Sequence, residues 1–367
     1  MNILVVGAGF SGAVMARQLA EAGHQVLVID KRKHIGGNAF DEFDENGVLV
    51  HRYGPHIFHT NSQKIFSYLS QFTEWQKYEH KVLSSVQGKL FPIPINRTTL
   101  SILYGRLFSE AEAQAHFDSV RIHHEHPNTS EEVVLNSVGS ELCDLFFRSY
   151  TLKQWGLSLN ELSAGVAARI PTRINDDDRY FNDEYQFMPV NGYTKMFEKI
   201  LNHPSIQLRL GCDYFEENEN LNFQHLVYTG PIDKFFNHRF GKLPYRSLRF
   251  EFQYLAEPSF QKVATVNYPN DFEYTRITEM KKLTGQMCAG TTLVTEYPTS
   301  IGDPYYPIPT SENNTLYRKY QTLVDEEKNI TFVGRLAQYK YFNMDQAVGS
   351  ALDKSEKLLD YLYTRSL

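Results

Sequence analysis

Three glycines near the start of the chain have the spacing of a phosphate-binding turn. They lie in the segment Gly7-Ala8-Gly9-Phe10-Ser11-Gly12. The first glycine permits a tight bend, the second lets the backbone approach a pyrophosphate, and the third lets a helix pack closely on a strand. Free N–H groups at the start of the following helix attract phosphates. We therefore expect this whole segment, including Phe10 and Ser11, to bind a dinucleotide.

The elements around this turn complete a nucleotide-binding unit. An apolar strand is predicted at residues 3–6, and a helix with an alanine-rich face follows the turn. A second apolar strand at residues 26–29 ends in Asp30. An acid at this position can accept hydrogen bonds from a ribose diol. Strand, helix, strand and acid in this order make the motif far more specific than its glycines alone.

The residues after Asp30 favour FAD over NAD. They read Lys31-Arg32-Lys33-His34-Ile35-Gly36-Gly37-Asn38. An acid, a basic run and a glycine pair are similar to the second signature of the FAD enzymes that include the amine oxidases. A plain NAD-binding unit has no need for that second glycine pair. Lys31, Gly37 and Asn38 are therefore predicted to contact FAD.

Composition excludes several classes of partner. The chain has 367 residues, which suggests two or three domains, and its net charge of −6 argues against a general nucleic-acid binder. It contains no apolar run of roughly 18 residues and enters a strand at once, which predicts neither a membrane span nor a secretory signal. Its three widely spaced cysteines form no metal or disulfide framework. We expect a cytoplasmic protein that meets any anionic substrate with local arginines.

Both ends of the chain are predicted to build one domain. Residues 329–334 indicate a buried strand closing on a glycine, and a helix follows from about residue 346. The middle of the chain shows a hairpin signal at Gln87-Gly88, helical periodicity over 98–150 and strand alternation over 247–254. We expect an α/β fold with a discontinuous Rossmann-type FAD-binding domain, an inserted helical domain and an antiparallel β-sheet domain. The predicted boundaries are 1–76, 186–236 and 312–367 for the FAD domain, 77–147 for the helical domain, and 148–185 with 237–311 for the substrate-binding sheet domain.

Several motifs spread over most of the chain together resemble one family. They are Tyr53-Gly-Pro-His-Ile-Phe-His-Thr60, Ser149-Tyr-Thr-Leu-Lys-Gln-Trp-Gly156, Arg169-Ile-Pro-Thr-Arg173, Tyr274-Thr-Arg-Ile-Thr-Glu279, Pro304-Tyr-Tyr-Pro307 and Gly334-Arg-Leu336 with Tyr341. Their order and spacing resemble the bacterial UDP-galactopyranose mutases.

This resemblance implies an isomerase that interconverts UDP-galactopyranose and UDP-galactofuranose without net redox change. In the family, N5 of reduced FAD attacks the anomeric carbon and displaces the nucleoside diphosphate. The implied partners are a nucleotide sugar and an unidentified reductant for FAD, the product feeds galactofuranose-type polysaccharide synthesis, and the protein is a homodimer. The implied catalytic residues are Arg169, Arg276 and His59, with Arg169 on a mobile lid.

The resemblance also assigns contacts to individual residues. In this assignment Trp155 lines the sugar cleft, and Tyr306 and Tyr341 hydrogen-bond the diphosphate. The remaining substrate-binding residues are His80, Phe146, Phe147, Tyr150, Thr151, Tyr180 and Asn267, besides the two arginines. The cofactor-binding residues outside the first unit are His56, Ile57, Arg335, Asn343 and Met344.

Two histidine groups could suggest a metal, and neither has the required spacing. His56 and His59 are three residues apart, but no cysteine or carboxylate ligand follows at metal spacing. The cluster His123-His124-Glu125-His126 precedes a proline in a polar stretch, which indicates a solvated surface. We therefore expect no metal.

Departures from the family pattern leave the substrate open. Asn343 stands where relatives usually have Asp, and Ser163, Phe187, Met280 and Ile102 also differ. The same chemistry on dTDP-fucose or UDP-N-acetylgalactosamine is an alternative to UDP-galactose. A conventional FAD oxidoreductase and a non-enzymatic flavoprotein are more distant alternatives.

Overall fold

The computed structural model describes residues 1–217 and 221–366, which form four β-sheets and a set of helices. The strands are β1 Asn2–Val6, β2 Gln25–Asp30, β3 Asp41–Phe43, β4 Leu49–His51, β5 Phe58–Thr60, β6 Trp75–Lys77, β7 Val82–Val86, β8 Lys89–Ile93, β9 Tyr185–Pro189, β10 Ile206–Leu210, β11 His225–Tyr228, β12 Tyr245–Leu255, β13 Thr265–Asn267, β14 Arg276–Glu279, β15 Thr291–Thr299, β16 Tyr306–Pro307 and β17 Ile330–Phe332. The helices are α1 Phe10–Glu21, α2 Gln63–Leu69, α3 Arg97–Tyr104, α4 Glu110–Val120, α5 Ser130–Cys143, α6 Ser149–Trp155, α7 Gly192–Leu201, α8 Tyr214–Glu217, α9 Ile232–Phe235, α10 Met280–Thr284, α11 Ser311–Glu326 and α12 Met344–Ser366.

A five-stranded parallel sheet joins distant parts of the chain. Its order is β10-β2-β1-β11-β17, and every neighbouring pair is parallel. The central strand β1 is an apolar run, as expected for a strand covered on both faces. Helix α1 packs between this sheet and α12, so the two ends of the chain meet, as predicted. The predicted α/β fold is confirmed.

A seven-stranded sheet forms a second layer, in the order β16-β12-β15-β14-β13-β7-β8. All its pairs are antiparallel except β7 with β13. The predicted hairpin is confirmed: Gln87 and Gly88 have φ of 51° and 73°, the positive values of a two-residue hairpin turn. The sequence places this hairpin in the helical domain, whereas its strand β7 pairs with the large sheet.

Three helices of the helical segment, which lies between β8 and β9 in the chain, begin at side-chain caps. Helices α3, α4 and α5 each begin with a capping box, at Asn96, Ser109 and Thr129. A π-helical turn, Asp144–Arg148, joins α5 to α6, and such turns are frequent at functional sites. In the described ranges, no helix is both long and apolar enough to cross a bilayer.

Candidate active site

A cleft of about 360 Å³ opens at the carboxyl ends of β1, β2, β11 and β17. Ligands of open parallel sheets bind at this edge. The structure brings nearly all the predicted cofactor-binding residues to the cleft wall. They are Gly7, Gly9, Phe10, Ser11, Gly12, Asp30, Lys31, Gly37, Asn38, His56, Arg335, Asn343 and Met344. Ile57 is not on this wall and packs against the main hydrophobic core.

In the glycine turn, backbone segments approach each other so closely that a side chain would not fit between them. The absence of side chains leaves room for a cofactor. A Cβ on Gly12 would lie 1.8 Å from the carbonyl oxygen of Gly7, and a Cβ on Gly37 would lie 2.9 Å from Cα of Gly9. Gly9 is the N-cap of α1 and provides no side chain to the first N–H groups of the helix. The cradle therefore fits a pyrophosphate, which the helix N-terminus would hold.

Asp30 makes two hydrogen bonds to the backbone that the sequence does not predict. Its Oδ2 accepts a hydrogen bond from the Ala8 N–H at 2.8 Å, and its Oδ1 accepts one from the Arg32 N–H at 2.8 Å. Each carboxylate oxygen has a further lone pair, so the predicted ribose contact stays a prediction. The acid fixes the first turn to the chain that follows β2.

Three wall segments of the cleft were missed by the sequence reasoning. They are the start of α8 with the residues before it, the turn Thr229-Gly230 after β11, and the loop Asp303-Pro304-Tyr305. A glycine two residues after a buried strand was the available signal for the second segment. The first segment includes the start of the short helix α8 and the third is a loop; neither shows a periodicity, and only the tertiary fold brings them to the cleft.

Arg276 lies at the centre of a row of polar side chains across three strands. In register, Asn267 of β13 and Glu296 of β15 flank Arg276 of β14. Arg276 Nε is 3.6 Å from Glu296 Oε2, and its Nη2 donates to the Tyr150 hydroxyl at 2.6 Å. Glu296, which sequence reasoning missed, is 3% exposed. Although burial alone would lower it, Tyr150 and Glu296 hold the pKa of Arg276 well above its ordinary value.

This row contains unused hydrogen-bonding capacity. Arg276 Nε, Glu296 Oε1 and Asn267 Oδ1 are buried and have no hydrogen-bond partner within residues 1–217 and 221–366. Buried polar atoms in proteins are normally satisfied, so each such atom needs an explanation. A bound polar ligand at this row would explain them.

An aromatic trio connects this row to the cofactor cleft. The ring of Trp155 lies 6.2 Å from that of Tyr306 and 5.5 Å from that of Tyr341, and the two tyrosine rings are 5.2 Å apart. The guanidinium of Arg335 lies 5.3 Å from the Tyr306 ring while Arg335 also lines the cleft. Burial raises the pKa of Tyr306, so its phenol keeps its proton at neutral pH. This phenol can donate to an anionic oxygen.

Arg169 lies at the edge of the trio. Its guanidinium stacks 3.9 Å from the centre of the Tyr341 ring. One nitrogen donates to Asn343 Oδ1 at 3.2 Å and another to the Tyr341 carbonyl. The side chain is exposed, on the 3₁₀ turn Ala167–Arg169. Arg169 and Arg335 therefore contact rings of the trio, and the charge of Arg276 acts on Tyr306.

The other predicted site residues occupy more varied positions. Tyr180 and His80 lie beside Arg276, since its charge acts on both. Thr151 is buried on α6. Phe146 packs against Phe91 in the core of the helical segment, and Phe147 is partly buried against that core. Their contacts with the substrate stay predictions.

His59 is held by groups that the sequence reasoning did not single out. Its ring stacks 3.7 Å from that of Phe181, and Nδ1 lies 2.8 Å from Asp183 Oδ2. His59 does not line the cofactor cleft, unlike His56. Its catalytic role stays a prediction.

Buried neutral histidines predict that the fold is acid-sensitive. Burial lowers the pKa of His51 to about 4, and burial with the nearby Arg276 lowers that of His80 to about 3. In the unfolded chain these histidines have a pKa near 6.5, so below that pH they bind protons there while they stay neutral in the folded chain. The stabilisation is therefore complete above pH 6.5 and is lost as the pH falls toward 3.

We expect each such histidine to lower the free energy of unfolding by about 2 kcal/mol between pH 7 and pH 5. Urea unfolding at both pH values measures this decrease. In His80→Gln the free energy of unfolding should fall by about 2 kcal/mol less than it does in the wild type. Equal losses in the two proteins would contradict the prediction.

The chain is similar to known proteins over most of its length. Residues 145–341 match the sequence profile of the family described as UDP-galactopyranose mutase, and residues 5–72 match that of the NAD(P)-binding Rossmann-like domain. The chain is 42% identical to the "Probable UDP-galactopyranose mutase" of Klebsiella pneumoniae, over 98% of this chain and 94% of that protein. It is 38% identical to the dTDP-fucopyranose mutase of Escherichia coli, over 96% and 97% of the two chains.

A solved structure shares the whole fold. The crystal structure of reduced UDP-galactopyranose mutase superposes with a TM-score of 0.79, at 18% identity, over 98% of this chain and 96% of that one. At this identity the likeness concerns the fold alone, while the profile match and the 42% identity carry the assignment. The chain belongs to the UDP-galactopyranose mutase family, whose members are FAD-containing mutases of nucleotide sugars.

Proposed function

We propose that this enzyme interconverts UDP-galactopyranose and UDP-galactofuranose with no net redox change. The observation that carries the proposal is the partly buried Arg276, hydrogen-bonded to Tyr150 in a row with unsatisfied polar atoms. The charges of Arg276 and Glu296 act on Tyr306, and Tyr306 belongs to the aromatic trio next to Arg335, which lines the cofactor cleft. Such a site suits a sugar diphosphate held against the cofactor.

The arginines would bind the diphosphate while the glycosidic bond breaks and re-forms. A leaving diphosphate needs cations that cannot lose their proton, and the guanidinium fork matches phosphate oxygens better than an ammonium does. Arg276 is held by its ion pair with Glu296 and by its hydrogen bond to Tyr150. When bound and reduced, FAD supplies a nucleophilic nitrogen, N5, to the anomeric carbon.

The aromatic trio would orient the sugar and limit access of water. Trp155 is 7% exposed, and its ring meets those of Tyr306 and Tyr341. Excluding water protects a reactive sugar from hydrolysis and strengthens electrostatic contacts. The protonated phenol of Tyr306 can donate to the diphosphate.

Further parts of the proposal concern organisation. We keep the predicted domain boundaries, with the hairpin of β7 and β8 moved to the sheet domain because β7 pairs with β13. We propose a cytoplasmic homodimer whose FAD is kept reduced by a separate reductant and whose product enters polysaccharide synthesis.

The test is an anaerobic isomerisation assay. Purified enzyme, reduced with dithionite or left oxidised, is incubated separately with UDP-galactose, UDP-N-acetylgalactosamine and dTDP-fucose. Chromatography then detects a new isomer of equal mass. We expect isomer from UDP-galactose with reduced enzyme only. Oxidised sugar with bleached flavin would instead indicate an oxidoreductase, and no product from folded holoenzyme would reject the mutase.

A second substrate is favoured by one comparison. Identity to the dTDP-fucopyranose mutase of Escherichia coli, 38%, is only slightly below that to the Klebsiella protein. The same assay decides between the two nucleotide sugars, because preferential turnover of dTDP-fucose would move the assignment to that substrate.

Replacing Arg169 by alanine should weaken catalysis without loss of cofactor. Its guanidinium lies at the trio but does not line the cofactor cleft. We expect kcat/KM to fall about 100-fold, the usual cost of one charge-stabilising donor. Initial rates of Arg169→Ala and Arg169→Lys, with flavin content by absorbance, check this. Wild-type rates for the alanine variant would exclude a role for Arg169 at the diphosphate.

A further inference from the structure

A single carboxylate joins two segments that line the cofactor cleft. Asp303 lies in the loop between β15 and β16, and its two oxygens contact residues of the segment just after β2. Lys31 Nζ is 2.9 Å from Oδ1, and Arg32 Nη2 is 3.1 Å from Oδ2. Asp303, Lys31 and Arg32 all line the cleft. The loop of the large sheet is thereby tied to the first nucleotide-binding unit at the wall of the cleft.

Both ends of this connection are anchored. Arg32 also donates to Asn38 Oδ1 at 2.9 Å and stacks 4.2 Å from the centre of the Tyr53 ring. Its side chain is 17% exposed, much less than that of Lys31 at 53%. On the other side, the Asp303 carbonyl accepts a hydrogen bond from Ser247 Oγ of β12. An anchored pair loses less side-chain entropy on forming than two free surface chains do.

The charge of Asp303 is maintained at neutral pH. Burial alone would raise the pKa of this carboxyl, but hydrogen bonds from Lys31 and Arg32 bring it below its ordinary value. The carboxylate of Asp303 is therefore ionised at neutral pH and pairs with Lys31 and Arg32.

We propose that Asp303 is a positioning residue that retains FAD, acting as a latch through Lys31 and Arg32. The cofactor cannot leave an open-edged cleft freely while the loop is tied at its wall, so dissociation requires the two ion pairs to break. Asp303 thus ties cofactor retention to a loop of the substrate-binding sheet. This role lies outside the conversion of the sugar.

The test measures release of FAD from holoenzyme. Purified Asp303→Asn is diluted, and free FAD is followed by its fluorescence. We expect FAD to be released about 3- to 10-fold faster than from the wild type, because two partly exposed ion pairs, with Lys31 and with Arg32, are lost. Raising the salt concentration should speed release from wild type and have less effect on the variant, because salt screens exposed charges. Asp303→Glu should restore slow release.

Glu356→Gln is the matched control. It removes an ion pair of similar length, Lys64 Nζ to Glu356 Oε1 at 2.9 Å, on the exposed surface between α2 and α12. Its release rate should equal that of wild type. Unchanged release in Asp303→Asn would overturn the latch, and slower release would show that Asp303 instead repels the pyrophosphate. If Asp303→Asn does not yield holoenzyme, the salt dependence of wild type still decides, since salt-independent release would reject the latch.

Discussion

Replacing Arg276 by alanine will remove nearly all turnover while FAD stays bound. The guanidinium of Arg276 is partly buried and is aligned by Tyr150 and Glu296, whereas that of Arg169 is exposed, so we expect the loss of Arg276 to weaken the binding of a leaving diphosphate more. Loss of a preorganised charge partner costs about 10²- to 10³-fold in rate, and we expect the upper end for Arg276. Flavin content should not change, because Arg276 does not line the cofactor cleft.

The variant needs controls because it leaves Glu296 buried without its counterion, which is destabilising. The double variant Arg276→Ala with Glu296→Gln removes both charges and should be folded but equally inactive. Arg276→Lys keeps the charge and loses the fork, so its rate should lie between those of wild type and Arg276→Ala. Arg249→Ala removes an exposed arginine of the same sheet, paired with Glu251, and should be fully active. A folded Arg276→Ala enzyme with near-normal kcat/KM would exclude the diphosphate clamp.

The parts of the fold that the sequence predicts are those encoded locally. The turn from Gly7 to Gly12 and the hairpin at Gln87-Gly88 depend on glycine conformations and neighbouring periodicity, and both are found where expected. The alternating segment over 247–254 lies within β12. In each case the signal lies within about ten residues of chain.

Features that depend on distant pairing could not be predicted in this way. Strand β11 lies between β1 and β17, and β7 pairs in parallel with β13, because tertiary packing selects these partners. Glu296 becomes the partner of Arg276 only through the register of β14 with β15. The loop of Asp303 has no periodicity that would place it at the cofactor. The family resemblance supplied the arginines and Tyr150, but it did not supply Glu296.

Gly12→Ala tests the cofactor cradle with the smallest possible substitution. Among the glycines of the turn, Gly12 has the closest backbone neighbour: its Cβ would lie 1.8 Å from the Gly7 carbonyl oxygen and 2.9 Å from the Gly7 carbonyl carbon. Both are main-chain atoms, so no side-chain rotation can relieve the overlap. The turn must move away from the start of α1, and the N–H groups that would receive the pyrophosphate move with it.

We therefore expect Gly12→Ala to purify without bound flavin and to lose about 1–3 kcal/mol of stability, the usual cost of forcing a methyl group into a packed site. Flavin absorbance per protein and urea unfolding of the apoproteins measure the two effects separately. Gly165→Ala is the control, since a Cβ there meets nothing within 4 Å and the residue has no positive φ; it should keep both flavin and stability. A yellow Gly12→Ala protein of normal stability would mean that the close approach of Gly12 to Gly7 is not what shapes the cradle.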